Sequence, residues 1–146
     1  MATPNNDPIY TKAGDQTNNG TTGMNQAITA AANDFTGINA NNSLIFTAGA
    51  NGAYVRSIKL KAAGTNSSAT VMRFFLNNGS TVGTATNNTF IGEINLPTTT
   101  ASATAITSAE FEFPVGFAIP ATFKLYAGLG TAATAGWVCI PIAGQY

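Results

Sequence analysis

The sequence predicts an all-β fold, an antiparallel β-sandwich of about eight strands, and three observations support this prediction. Apolar residues come in seven short segments, and turn-forming residues separate almost every pair of them. Several segments alternate apolar and polar residues with the period of two that a half-buried strand requires. No segment carries the apolar stripe of an amphipathic helix. Short strands spaced by turns are typical of sandwiches, and a count of eight favours a jelly roll.

The composition indicates a globular chain. Its 146 residues fit one domain, and 45% of them are hydrophobic at a formal net charge of zero. Disorder requires the opposite balance, namely low hydrophobicity and high net charge. The longest apolar runs, such as "WVCIPIA", are far shorter than the ~20 residues that span a bilayer. We therefore expect a soluble domain without a membrane partner.

The first 24 residues are polar and rich in turn formers, and we expect an extended N-terminal arm at 1–24 before a β-sandwich domain at 25–146. The arm contains one apolar patch, "PIYTK". Its proline fixes its own φ and biases the preceding residue toward extended geometry, which lowers the entropic cost of ordering. The arm is either a disordered tail or a segment that becomes ordered on a neighbouring subunit. Under the second interpretation, the predicted partner-binding residues are Pro8, Ile9, Tyr10 and Lys12.

Beyond the arm, "MNQAITAAANDF" contains alanines but no amphipathic stripe, so we expect it to be extended. The Gly-rich stretches "TAGANGA" and "LGTAATAG" predict hairpin turns, and Asn78-Gly79 predicts a tight turn. The predicted strand segments are 43–48, 53–62, 69–77, 89–96, 104–113, 121–128 and 136–142.

Two of these segments allow a prediction of which side chains face the core. In "YVRSIKLK", alternation predicts that Tyr54, Ile58 and Leu60 share one face with Arg56. Val55 is predicted to point the other way, with Ser57, Lys59 and Lys61. In "AEFEFP", the two phenylalanines face one way and the two glutamates the other. Pro114 and Pro120 exclude a central strand between them, so 114–120 is predicted to be a crossover or an edge strand.

Few residues could carry chemistry. The chain has no histidine, which removes the commonest general base and metal ligand. Glu110 and Glu112 are neighbours on one strand face, and we interpret them as a solvated face with Lys124 nearby rather than an acid–base pair. We therefore expect no enzymatic activity, no catalytic residue, no metal and no cofactor.

Cationic and aromatic residues give equally weak signals. Lys59 and Lys61, with Arg56 or Arg73, form at most a small basic patch, so no nucleic-acid partner is expected. The one cysteine, Cys139, lies among apolar residues and is predicted to be buried and unreactive. Trp137 is predicted to be a core residue, although an exposed tryptophan would suit the floor of a sugar-binding site.

The low charge predicts self-association. Only 8% of the residues are charged, against about 25% in ordinary domains, and 22 threonines and 16 asparagines fill the polar positions instead. A neutral, charge-poor surface promotes association, and it loses less on desolvation than a charged one. We expect a homo-oligomer, with a trimer favoured.

Three stretches resemble a family of small virion structural proteins of tailed bacteriophages. They are "TPNNDPIYTKA", then "FTAGANGAYVRSIKLKAAGT" followed by "VMRFFL", and finally "FEFPVGFAIPATFKLYAGL", and together they cover about half of the chain. The resemblance implies a capsid decoration or cement protein that binds the major capsid protein and its own copies. It would be synthesised in a host cytoplasm, consistent with the lack of a signal-peptide pattern at the start of the sequence, and would lie on the capsid surface. The alternative is a receptor- or glycan-binding module of a phage fibre or tail.

Overall fold

The computed structural model describes residues 26–146 and, before them, the backbone of three two-residue strands. No α-helix occurs in this described part of the chain, and a 3₁₀ turn spans Ala85–Asn87. The strands in chain order are Ile9–Tyr10 (β1), Thr17–Asn18 (β2), Thr21–Thr22 (β3), Ser43–Thr47 (β4), Ala53–Ala62 (β5), Thr70–Asn77 (β6), Asn88–Leu96 (β7), Phe111–Ile119 (β8), Lys124–Leu129 (β9) and Trp137–Gln145 (β10).

Eight of these strands form two four-stranded antiparallel sheets. The first sheet has the order β1-β10-β5-β8 and the second sheet has the order β4-β9-β6-β7, while β2 and β3 pair with each other. Within the eight, β6 and β7 are neighbours both in sequence and in a sheet. Every other connection carries the chain from one sheet to the other.

The two sheets pack face to face, which confirms the predicted β-sandwich. The ring of Phe74 on β6 stacks on the ring of Phe113 on β8, with centroids 4.5 Å apart, so side chains of the two sheets meet. One contiguous core fills the space between them. Its largest fully buried side chains are Trp137, Phe46, Phe74, Ile45, Ile58, Leu60, Met72, Leu96, Leu125, Leu129 and Val55.

Six of the seven predicted strand segments overlap a strand over most of their length. The predicted segment 104–113 is wrong, because the strand begins only at Phe111. The residues before it form a turn in which the Ser102 hydroxyl accepts the N–H groups of Thr104 and Ala105. Pro114 lies inside β8, an edge strand, so the edge prediction for 114–120 is confirmed and the crossover alternative is wrong.

The predicted hairpin turns are wrong. In "TAGANGA" the Gly52 N–H donates to the Gly49 carbonyl at 3.1 Å, and this turn links β4 in the second sheet to β5 in the first. The stretch "LGTAATAG" likewise links β9 to β10 across the sandwich. Gly79 has the positive φ of +88° that a tight turn favours, but the next strand starts only at Asn88. The two Gly-rich turns therefore reverse the chain without pairing the strands on either side, whereas β6 and β7 do pair but are joined by a longer connection than a tight turn.

The predicted facing of β5 is wrong in its first half. Tyr54 is exposed and Val55 is fully buried, whereas Ile58 and Leu60 are buried as predicted. The pairing with β8 shifts register between Val55 and Ser57, which marks a β-bulge. A bulge inserts one residue, so it moves every side chain on one side of it to the opposite face.

One lateral edge of the sandwich is sealed by the chain's own N-terminal part. Ile28 exchanges two backbone hydrogen bonds with Trp137, of 2.9 and 3.1 Å, on the side of β10 that faces away from β5. The Ala32 N–H donates to the Leu129 carbonyl at 2.6 Å, beside β9. Because this segment bonds to both sheets, it closes the edge formed by β1 and β4, which we call the closed edge. Residues 26–32 contain no helix and form isolated β-bridges at Ile28 and Ala31, in line with the predicted extended segment. The last part of the segment turns instead, and the Asp34 N–H donates to the Ala32 carbonyl at 2.9 Å.

Candidate functional site

The predicted partner-binding segment lies at the closed edge. Ile9 and Tyr10 form β1 and pair antiparallel with Gln145 and Gly144 of β10. Pro8 and Lys12 lie outside the described residues. Backbone pairing therefore places part of the predicted arm at the edge of the first sheet, and the contact of its side chains with a partner stays a prediction.

The predictions for Trp137 and Cys139 are confirmed, since both side chains are fully buried. The Trp137 ring meets the edge of the Phe111 ring at a centroid distance of 5.8 Å inside the core. It is not available as the floor of a sugar-binding site. Burial raises the pKa of the Cys139 thiol, which disfavours the nucleophilic thiolate.

The two glutamates lie on a solvated face, as predicted, but beside other partners. The Glu110 carboxylate is 3.7 Å from the Lys59 ammonium, and the Glu112 carboxylate accepts a hydrogen bond from the Ser57 hydroxyl. Lys124 lies on β9 of the second sheet. Arg73 is also in the second sheet, so it does not join Lys59 and Lys61 in a basic patch.

A different cluster stands out on the outer face of the second sheet. The rings of Phe35 and Phe90 meet edge to face at a centroid distance of 5.7 Å and are 58% and 38% exposed. Phe75 lies beneath Phe90 at 5.7 Å and is fully buried. Phe35 and Phe90, with Ile38 on the same loop as Phe35 and 44% exposed, form what we call the aromatic patch.

The loop that carries Phe35 and Ile38 is held by one carboxylate. Asp34 accepts hydrogen bonds from the backbone N–H groups of Thr36, Gly37 and Asn39 at 2.8, 2.5 and 2.9 Å. Gly37 has a φ of +76°, and a β-carbon there would approach Cδ1 of Phe75 to 3.0 Å. The loop therefore needs glycine at this position in order to close over the sheet. Asp34 and Gly37 fix the two exposed side chains in place.

Arg73 joins the loop to the sheet beside the aromatic patch. Its guanidinium carbon is 4.2 Å from the centroid of the Phe35 ring. Its Nε donates to the Glu93 carboxylate at 3.1 Å, and its Nη1 donates to the Asn33 side chain at 3.1 Å. Arg73 is nearly buried, so the stacking and the ion pair hold Phe35 from below with little charge left exposed.

The second apolar surface is the lateral edge opposite the closed edge. In the described part of the chain, β7 pairs with β6 alone and β8 pairs with β5 alone. Apolar side chains of both strands pack against the core yet stay partly exposed, and Phe117, opposite the buried Val55, is 38% exposed. We call this surface the open edge; its residues are Ile91, Ile94, Phe111, Phe113, Val115 and Phe117.

The described residues include no candidate metal cluster and no candidate membrane-spanning helix. Among the residues that the structure describes, no group of three or more His, Cys, Asp or Glu side chains is placed to hold a metal ion. No helix in that same part has the length and apolar character needed to cross a membrane. What the geometry does present is two apolar surfaces suited to contact with protein.

No protein-family model, no curated protein and no solved structure matches the chain.

Proposed function

We propose that the chain is a non-enzymatic structural protein of a virion, a decoration or cement protein that binds the major capsid protein and its own copies on the capsid surface. In this proposal the aromatic patch contacts the capsid protein. The N-terminal arm, with Pro8, Ile9, Tyr10 and Lys12, adds a further contact to a neighbouring subunit. The oligomer is a trimer.

The single observation that carries the proposal is the aromatic patch. Among the residues whose side chains the structure describes, Phe35 and Ile38 are the most exposed large apolar ones after Ile106, which lies in the connection between β7 and β8. Hydrogen bonds to Asp34 hold the loop of Phe35 and Ile38. Aromatic residues anchor protein interfaces, and a side chain that is already ordered loses less entropy on binding. A rigid aromatic pair on an outer sheet face is therefore what a protein-docking surface requires.

The distribution of charge favours the second sheet as the docking face. Arg73 and Glu93 on that sheet neutralise each other. The first sheet and the residues beside it carry most of the other described charges, which stay in water when the second sheet docks. Because charged groups are depleted from the centres of protein interfaces, this orientation has the lower desolvation cost. The charged residues on or beside the first sheet are Arg56, Lys59, Lys61, Glu110 and Glu112.

The strand order supports a jelly roll as the finer description of the sandwich. Without the β2–β3 ladder, the pairs β1·β10, β4·β9, β5·β8 and β6·β7 join the first strand to the last, the second to the seventh, the third to the sixth and the fourth to the fifth. These are the pairs of one long hairpin, rolled up so that successive pairs alternate between the sheets. Eight-stranded jelly rolls are common in viral capsid proteins.

Binding to capsids tests the proposal. Wild-type protein, Phe35→Ser and Tyr54→Ser are mixed with purified phage capsids that lack the protein, and the bound fraction is measured by sedimentation. Tyr54 is a matched control because it is a 38% exposed aromatic residue on the first sheet. We expect Phe35→Ser to weaken binding at least about tenfold and Tyr54→Ser to leave it unchanged.

A second variant tests whether capsid binding requires the ordered loop as well as the Phe35 ring. Asp34→Ala keeps Phe35 but removes the acceptor of three backbone N–H groups, so we expect weaker capsid binding from a loosened loop. Wild-type protein that does not bind capsids would overturn the proposed function. Equal binding by wild type and Phe35→Ser would remove the aromatic patch from it.

A further inference from the structure

We propose that the open edge is the surface on which a second copy of this chain docks, through side-chain packing rather than through addition of a strand. The inference rests on the proposed function, in which copies associate, and it adds the surface that they use.

The first observation is that incomplete burial is concentrated at one edge. At the closed edge, the apolar side chains Leu44, Ile45 and Phe46 of β4 are buried. At the open edge, Phe113 and Val115 pack against the core but stay partly exposed, and Phe117 is 38% exposed. These side chains of β8 therefore contact the core on one side and remain in contact with water on the other. Partly exposed side chains continuous with a core are the pattern expected where a partner completes it.

The second observation is the size of this surface. β7 and β8 have nine residues each, so at ~3.3 Å per residue the open edge is about 30 Å long. Sheets pack about 10 Å apart, so the strip between the two edge strands covers about 300 Å² before the flanking side chains are added. With those side chains, the surface is on the order of the ~800 Å² that each partner contributes to a standard protein–protein interface.

The third observation identifies the occupant. The charged residues of the two strands are Glu93, which is paired with Arg73, and Glu112, which accepts a hydrogen bond from Ser57. Glu93 is therefore neutralised, and the Glu112 carboxylate lies on the solvated face rather than among the apolar side chains of the open edge. The chain has zero net charge, so two copies do not repel each other over longer distances. A second copy is also the partner that is present from synthesis onward, before any capsid is met.

The backbone of β8 explains why the contact uses side chains. Pro114 has no N–H to donate to a ladder, and Gly116 has a φ of +73° that interrupts the extended conformation. Edge strands with proline and irregular backbone resist pairing with another strand. The β8 side of the open edge is thus protected from open-ended strand addition, while its apolar side chains remain available for a closed oligomer.

Light scattering across a dilution series tests the inference. We expect wild-type protein to have about three times the 14.9 kDa mass of one chain, and Val115→Asp with Phe117→Asp to shift dissociation to at least about 100-fold higher concentration. Tyr54→Asp is the control, because Tyr54 is as exposed as Phe117 but lies on the first sheet's outer face. If the double variant loses its wild-type circular dichroism spectrum, Phe117→Ser takes its place, with an expected shift of at least about tenfold.

The outcomes separate this inference from the proposed function. A wild-type mass of one chain at all concentrations overturns the inference, as does an oligomer that Tyr54→Asp dissociates and the edge variants do not. If the wild type is a dimer and the edge variants dissociate it, the inference is supported and only the predicted trimer is contradicted. Capsid sedimentation is run on the same samples: monomeric wild-type protein that still binds capsids overturns the inference and the trimer, but leaves the proposed binding to the capsid protein standing.

Discussion

The two lateral edges of the sandwich are built from equivalent strands but are finished differently. At the closed edge, Ile28 and Ala32 bond to β10 and β9 and cover the core, and the apolar residues of β4 are buried. At the open edge, the connection from β7 to β8 is bonded to another connection of the chain. Thr99 exchanges two backbone hydrogen bonds of 3.0 Å with Asn66, which lies between β5 and β6. Of the β8 residues that face the core, Phe111, Phe113 and Val115 are left partly exposed.

Because of this difference, side chains at the closed edge should mainly determine stability, and those at the open edge should mainly determine assembly. A core covered by its own chain contributes fully to the free energy of unfolding, because its side chains leave water on folding. Side chains that stay partly exposed leave water completely only when a partner covers them, so part of this free energy is released on assembly instead of on folding. Substitutions at the two edges should therefore act on different measurements.

The largest expected effect is on unfolding, at the closed edge. Phe46→Ala removes a fully buried side chain of β4 and should lower the free energy of unfolding by about 3–5 kcal/mol. Phe117→Ser is the matched control at the open edge, with an expected loss of about 1 kcal/mol because its ring is already partly in water. Urea denaturation at a concentration where both proteins are monomeric measures the difference. Equal losses would mean that the two edges are equally buried.

A smaller effect concerns pH and the buried thiol on β10. Burial raises the pKa of Cys139 above its unfolded value, so the folded state holds the proton more tightly than the unfolded state does. The stability that this provides is complete below the unfolded pKa of about 8.5 and is lost as the pH rises above it, by about 1.4 kcal/mol per pH unit. Denaturation between pH 8 and 10 should show this slope in wild type and a shallower one in Cys139→Ala. Identical slopes would place the thiol in contact with water.

Much of the sandwich could be predicted from the sequence, because alternation and turn residues are local signals. The segment 53–62 and the edge character of the strand at Pro114 are examples. The pairing of strands was not predictable in this way. The turn at Gly49–Gly52 looks like a hairpin, yet it joins the two sheets. Which sheet a strand enters depends on partners far along the chain, and turn chemistry carries no information about them.

The surfaces were harder to predict than the strands. Phe35 follows Asp34 and precedes Gly37, a turn signal that in hindsight places the ring outside the core. Phe117 lies between two prolines in an edge strand, which signals low coverage. Neither signal predicts how much of the ring is exposed to solvent, because this depends on whether another segment of the chain covers the ring. The facing of Tyr54 was wrong for a related reason, since the bulge after Val55 has no clear sequence mark.

Hydroxyl-radical footprinting of dilute and assembled protein tests the difference between the edges most directly, by following the oxidation rates of Phe117, Tyr54 and Trp137. In dilute protein we expect Phe117 and Tyr54 to be oxidised and Trp137 to be protected, in line with their burial. On assembly, the rate for Phe117 should fall severalfold while the rate for Tyr54 stays the same, because the interface covers the open edge and leaves the outer face of the first sheet in water. Oxidation of Phe117 at the same rate in dilute and assembled protein would contradict the account.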